Sequence, residues 1–115
     1  MTTLNYESVT IANGSSLSDA LNIGNRDVFA LIMPAAWTSA GLTFQGSFDG
    51  TNYYNLYDDA GNEISFTVGA SRYVVIASPA KFFGLKKLKI RSGTSGSAVN
   101  QAADRVIGVI VIPEA

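Results

Sequence analysis

The stretch that decides the fold is FQGSFDGTNYYNLYDDAGNE, Phe44 to Glu63, because it places turn signals between short apolar runs. Asp49-Gly50 separates two aromatic-rich runs, and glycine adopts the positive φ of a tight hairpin turn without steric cost. The sequence Asp-Ala-Gly-Asn at 59–62 repeats this turn chemistry. The stretch therefore predicts a three-stranded antiparallel meander over residues 44–68, joined by two tight turns.

The rest of the chain shows the same strand-and-turn spacing. Each apolar run has strand length, is rich in β-branched and aromatic residues, and is bounded by Gly, Asn, Asp or Pro. These features predict a single all-β domain over residues 1–115, an antiparallel β-sandwich or barrel of about eight strands. The runs are YESVTIA, DVFALIM, LTFQGSF, YYNLY, EISFTV, RYVVI, KKLKIRS and RVIGVIVI.

Helix signals are few. Ser15–Asn22 offers a serine cap and two leucines at i, i+4, which predicts one or two helical turns. SPAKFF predicts a single turn with Pro79 at its first position. The predicted core consists of Phe29, Leu31, Leu42, Phe44, Leu56, Phe66, Val75, Leu88, Ile90, Val106 and Ile110.

The composition bears on chemistry. The chain has no cysteine and no histidine, which removes disulfides, thiolate metal sites and the commonest general base. We therefore expect a protein that is not an enzyme and has no cofactor. The N-terminus lacks a secretory pattern, and the longest apolar run is too short to cross a bilayer, so no membrane association is expected.

The acid-rich turns raise the possibility of a calcium site, since several oxygen ligands lie close together in sequence. Their spacing does not match the EF-hand pattern, and hairpin turns recruit Asp and Asn for backbone reasons alone. The sequence therefore predicts no metal. The residues concerned are Asp49, Asn52, Asp58, Asp59, Asn62 and Glu63.

A basic stripe follows from the alternation in KKLKIRS, where Lys87, Lys89 and Arg91 share one face of the predicted strand. Such a stripe can follow phosphates, but the net charge of −1 does not favour a nucleic-acid module, and none is expected as a partner. Lysines also protect strands from edge-to-edge aggregation. We interpret the stripe as a contact for acidic groups on a neighbouring subunit.

Aromatic residues offer a different function. Tyr53, Tyr54, Tyr57 and Trp37 are candidates for a stacking platform for sugars, although cross-strand packing explains them as well. A carbohydrate-binding module stays open as an alternative. It requires an exposed aromatic pair beside the Asp49 turn.

The C-terminal run RVIGVIVI is apolar at every position after its first residue, glycine included. A strand with one solvent-facing side normally alternates, so the second side must be covered by the chain itself or by another subunit. Only 15% of the residues are charged, against roughly 25% in average domains, which also suits a surface covered by partners. We expect Ile107, Val109 and Val111, or the loop covering them, at or near a subunit contact.

Several pieces in order resemble a family of small virion proteins of tailed bacteriophages, namely capsid decoration (cement) or related head-surface proteins. The pieces are MPAAWTSAGLTFQGSFDGTNYYNLYDDAGNEISFTV, RYVVI, FFGLKKLKIRSGTS and QAADRVIGVIVI, within Met33–Ile112. The resemblance implies a compact, jelly-roll-like β-sandwich that self-associates, with a trimer expected. It also implies the major capsid protein or another virion protein as partner, and a place on the capsid surface after assembly in the host cytoplasm. A tail or spike-base component is the related alternative.

Overall fold

The computed structural model describes residues 4–24 and 26–113, which form two antiparallel sheets facing each other. The first sheet has the order β1-β9-β3-β7, and the second has the order β2-β8-β4-β5, with β6 also paired to β4. The strands are β1 (Asn5–Ile11), β2 (Leu21–Asn22), β3 (Arg26–Ile32), β4 (Leu42–Ser47), β5 (Tyr54–Asn55), β6 (Ser65–Phe66), β7 (Tyr73–Val75), β8 (Lys87–Ser92) and β9 (Arg105–Pro113).

The strand pairs are nested, which identifies the topology. β1 pairs with β9, β2 with β8, β3 with β7, and β4 with β5 and β6, all antiparallel. The chain is thus one long hairpin, and the additional pairs β3–β9 and β4–β8 roll it into two sheets. This arrangement is a jelly roll. The all-β antiparallel sandwich is confirmed, with nine strands among the described residues in place of about eight.

The core lies between the sheets and follows the period of two. Alternate side chains of β4 and β8 point inward, so that Leu42, Phe44, Leu88 and Ile90 are at most 1% exposed. Phe44 meets the rings of Phe66 and Phe82 edge to face, each at 5.1 Å between centroids. This geometry is the favoured one for aromatic pairs and adds to the burial of their area.

The helix predicted at Ser15–Asn22 does not form. The segment runs extended beside β8, with a bridge from Leu17 to Arg91 and the short strand β2 at its end. A spacing of i, i+4 fits a period of two as well as a helical turn, so Leu17 and Leu21 did not distinguish the two. The Ser18 hydroxyl favours the extended form by accepting a 2.9 Å hydrogen bond from the amide of Ile90.

The single turn predicted at SPAKFF is present as a 3₁₀ helix, Pro79–Phe82, with proline in its first turn. Its Phe82 is 1% exposed and contributes to the aromatic cluster. It is the longest helix in the part of the chain that the structure describes, and no helix there is long enough to cross a membrane.

The meander prediction is half right. The Asp49-Gly50 turn joins β4 and β5 in a hairpin, and Gly50 has a φ of 82°. However, β6 pairs with β4 as well, beside Leu42 and Thr43, so β5 and β6 share one edge of β4. The second turn therefore lies in a loop between β5 and β6 that is closed by the bridge between Tyr57 and Glu63. It does not place β6 beside β5 as the third strand of a meander.

A buried amide, which the sequence analysis did not single out, connects three segments. Gln101 is 1% exposed, and its oxygen accepts hydrogen bonds from the Thr38 amide at 2.9 Å and from Arg105 Nε at 3.0 Å. Its nitrogen donates to the Thr38 carbonyl at 3.0 Å and to Ser92 Oγ at 2.7 Å. The amide is fully satisfied and fixes the loop after β3 against the entry to β9.

The predicted core is partly wrong. Five of its residues are buried, Leu56 and Phe66 pack against the core from its margin, and Phe29 and Ile110 are half-buried. Val75 and Val106 lie on the opposite side of their sheet, with 74% and 48% of their surface exposed. The buried five are Leu31, Leu42, Phe44, Leu88 and Ile90.

We expect Phe44→Ala to lower the free energy of unfolding by roughly 3–5 kcal/mol, because the truncation leaves a cavity between the sheets. Urea denaturation measures this loss. Phe48→Ala is the matched control, since Phe48 follows in the same hairpin but is 85% exposed. Its loss should stay within about 0.5 kcal/mol, and equal losses for the two variants would contradict the placement of Phe44.

Candidate interaction surfaces

The three side chains expected at a subunit contact lie inside the chain. Ile107, Val109 and Val111 are 0% exposed and face the core. The reason is the register of β9, which places Ile107 beside Val9 and Val109 beside Leu31. Both of these partners are themselves at most 1% exposed. The assignment of these residues to a contact between copies is therefore wrong, because no neighbour can reach them in the folded chain.

The opposite side of the first sheet is apolar and open. We call this surface the outer face. Antiparallel register aligns its side chains across all four strands, with Tyr6 beside Ile110, Ile110 beside Ala30, and Ala30 beside Val75. Exposed members are Leu4 (66%), Tyr6 (60%), Tyr73 (58%), Val75 (74%) and Val106 (48%), and half-buried members are Ile32, Ile110 and Ile112.

A glycine makes the centre of the outer face flat. A side chain at Gly108 would come within 2.6 Å of the ring of Tyr6 and 3.2 Å of Ile32 Cβ. The ring of Tyr6 therefore lies across Gly108, where any larger residue would displace it. The sequence did not lead us to expect Tyr6 at the surface. The pattern that places it there is the alternation of β1, in which Tyr6 is on the side opposite the buried Val9 and Ile11.

The outward side of the second sheet is polar, and two of its cations, Lys89 and Arg91, have partners within the chain. Lys87, Lys89 and Arg91 share this side, as predicted, opposite Ser47, Gln45 and Thr43 of β4. The ammonium of Lys89 lies 4.2 Å from the centre of the Tyr53 ring, which is cation–π geometry.

Arg91 is only 7% exposed and is held by a network of its own chain. Its guanidinium lies 3.5 Å from Glu63 Oε2, donates to Thr43 Oγ1 at 3.2 Å, and donates to Asn55 Oδ1. The expectation that Arg91 meets acidic groups of a neighbour is therefore wrong. Its charge is already neutralised by Glu63.

We expect Arg91→Ala to cost roughly 3–5 kcal/mol of stability, because it leaves the Glu63 carboxylate buried without its partner. Glu63 Oε2 is buried and has no hydrogen bond. The positive charge paired with it is the guanidinium of Arg91, at 3.5 Å. Urea denaturation measures the effect, and the double variant Arg91→Met/Glu63→Leu should recover most of it. Lys89→Ala, which removes only a cation–π contact, serves as the control and should cost about 1 kcal/mol or less. An equal effect of Arg91→Ala and Lys89→Ala would contradict the buried pair.

The acid-rich turns use their oxygens for their own backbone. Asp49 Oδ1 accepts hydrogen bonds from the amides of Thr51 at 2.9 Å and Asn52 at 2.8 Å, and Oδ2 accepts one from Asn52 Nδ2 at 2.7 Å. Asp58 Oδ1 accepts from the amides of Ala60 and Asn62, each at 2.9 Å. Within residues 4–24 and 26–113, no three acidic side chains converge on a point where a metal ion would bind.

The donors around Asp49 lower the pKa of its carboxyl far below the ordinary value, with the Asn52 amide as the largest cause and the Thr51 amide next. Because the folded-state pKa is depressed, this stabilisation is fully present above about pH 4 and is lost as the pH falls further. We expect Asp49→Asn to show a shallower decline of stability than the wild type between about pH 5 and pH 2. Urea denaturation at several pH values across this range measures the free energy of unfolding of both proteins. If the two decline in parallel with falling pH, the lowered pKa of Asp49 does not contribute to stability.

Two exposed aromatic residues flank the Asp49 turn. Phe48, directly after β4, is 85% exposed, and Tyr54, which pairs with Gly46, is 70% exposed. Two other candidates for a stacking platform are engaged: Tyr53 contacts Lys89, and the indole of Trp37 donates to the carbonyl of Ala40 at 3.1 Å. Tyr57 is 54% exposed, but it lies at the second turn, where it bridges to Glu63. The exposed pair required by the sugar-binding alternative is therefore Phe48 and Tyr54.

A cleft of about 290 Å³ opens between the edge strands β7 and β6. Its lining is mainly apolar, with Ser78 and Lys81 as its polar side chains. A serine–lysine pair is a known catalytic arrangement, but it requires a hydrogen bond between the two side chains. None joins Ser78 and Lys81 among the described residues, and the Lys81 ammonium lies 5.9 Å from the centre of the Phe66 ring. The cleft therefore does not present an activated nucleophile.

Comparison with solved structures gives one informative likeness. The crystal structure of SPBc2 prophage-derived protein YomS superposes with a TM-score of 0.50, at 16% sequence identity, over 97% of this chain and 96% of that one. At this identity the likeness shows the fold alone. No family model matches the chain, and no curated protein matches it in sequence.

Proposed function

We propose that the chain is a structural virion protein of a tailed phage, without a substrate, that decorates the head surface as a homo-oligomer. The observation that carries this proposal is the outer face, an apolar surface that spans four strands and faces solvent in the single chain. A patch of this extent is at the upper end of what soluble monomers expose, and the largest patches are often interaction sites. Such an apolar surface suits a protein that functions by binding to the surface of a larger assembly.

The fold supports the same proposal. Jelly rolls are frequent in viral capsid proteins and also in lectins. The structural neighbour is by its title a prophage-derived protein, and it matches this chain along nearly its full length. The ordered motifs within Met33–Ile112 resemble head-surface proteins of tailed phages. These three lines favour a virion component over a free enzyme or a nucleic-acid binder.

The proposed partners are other copies of the chain and the major capsid protein or another virion protein. Capsid shells offer threefold and quasi-threefold positions, so a closed ring of three is the form that we propose for binding there. No membrane, nucleic acid, metal or cofactor takes part in this function. Assembly takes place in the host cytoplasm, and the protein ends on the capsid surface. A tail or spike-base position would use the same surfaces on another part of the virion.

The carbohydrate-binding module is the second candidate, favoured by the exposed Phe48 and Tyr54 beside a turn rich in hydroxyl and amide groups. Aromatic faces stack on sugar rings, and polar turn residues supply orientation. However, the Asp49 carboxylate is occupied by four donors of its own turn, which leaves it unavailable as a sugar acceptor. This second function would have to rely on Asn52 and Thr51.

We expect the purified chain to be an oligomer by light scattering and to co-sediment with undecorated heads of the phage that encodes it. Unlabelled chain should compete for this binding, and heads that already carry the protein should not bind more. Binding to a glycan array, abolished by Phe48→Ala, would favour the second candidate. A monomer that binds neither heads nor other virion parts would defeat the proposal.

A further inference from the structure

We infer that the outer face of the first sheet is the surface through which copies of this chain contact one another, with these faces turned towards a common axis. The inference rests on the proposed homo-oligomer and names its contact. It replaces Ile107, Val109 and Val111, which are buried, by the residues on the other side of the same sheet. Its occupant is a second copy, and the shell is reached by other surfaces.

The area fits an interface between folded proteins. Aromatic residues offer roughly 150–250 Å² each and aliphatic ones less, and the five exposed members of the outer face retain about half to three-quarters of theirs. Their exposed surface is thus on the order of 600 Å². A standard interface buries roughly 800 Å² on each partner. The half-buried isoleucines and the adjoining Ser8 and Thr10 supply the remainder.

The charge distribution permits a second copy. The aligned positions of the outer face carry no charged side chain except Asp27, which stands at one end beside Ile112. Outer faces that adjoin around a common axis therefore meet without like-charge repulsion at their centre. The flat surface that Tyr6 forms over Gly108 leaves no projecting side chain there to hold a neighbouring copy away.

The surface of the chain itself offers one match for the outer face. An apolar patch of this size associates with a matching apolar surface. The other outward-facing sheet does not match, because it is lined by Lys87, Lys89, Ser47 and the Arg91 network. The surface that matches is the outer face of another copy.

The first test introduces a charge on the outer face. Val75→Asp and Val106→Asp alter exposed side chains on two different strands, so both variants should remain folded by circular dichroism and thermal melting. Each should weaken self-association by roughly a hundredfold, because the contact would bury an unpaired carboxylate. Phe48→Asp is the matched control, an exposed apolar residue outside the outer face, and it should leave the oligomer intact. Sedimentation velocity over a concentration series measures all three.

The second test does not depend on weakening the assembly. Since the chain has no cysteine, a single introduced thiol reports its own exposure. Val75→Cys should react with a maleimide in dilute monomer and be protected at concentrations where the oligomer forms. Phe48→Cys should react equally at both concentrations. Equal reactivity of Val75→Cys in monomer and oligomer would overturn the inference.

The outcomes separate this inference from the proposed function. An oligomer that tolerates both aspartates would overturn the contact, while head binding could still support the function. A monomeric wild type whose head binding is lost in Val75→Asp would show that the outer face binds the shell, which also overturns the inference. An oligomer that is dissociated by the aspartates but never binds virion parts would support the contact and defeat the function.

Discussion

The central position of β9 is the constraint on which the rest of the structure depends. This nine-residue strand lies between β1 and β3 and pairs with both along most of its length. One side of it closes the core with Ile107, Val109 and Val111, which are fully buried. The other side places Val106, Ile110 and Ile112 in the middle of the outer face. One strand therefore determines both the stability of the fold and the surface that it presents.

The outward sides of the two sheets differ in polarity. The second sheet keeps polar groups there and pairs several of them within the chain, through the Arg91–Glu63 pair and the Lys89–Tyr53 contact. The first sheet keeps apolar groups there and leaves them exposed. With a net charge of −1 the chain has little repulsion to oppose association. The sandwich therefore has one polar outward side and one apolar outward side that is exposed in the single chain.

Strand positions could be predicted from the sequence because short apolar runs between Gly, Asn, Asp and Pro have few other solutions, and all eight predicted runs contain strands. Which side of β9 faces the core could not be predicted from the sequence, because both of its sides are apolar and alternation favours neither. Pairing with Val9 and Leu31 decides it, and these residues are distant in sequence. The same limit applies to Gln101 and to the Arg91 network, whose partners are brought together only by the fold.

A strand that is apolar on both sides belongs to a buried sheet, as in proteins whose sheets are covered on both faces. In this chain the second sheet supplies one cover, and no described segment lies over the other side, where Tyr73 and Val75 remain more than half exposed. Gly108 and Tyr6 keep that side flat, which suits another sheet better than a helix or a loop. The pattern of β9 thus fits the proposed assembly, in which a neighbouring copy would cover the side that the single chain leaves open.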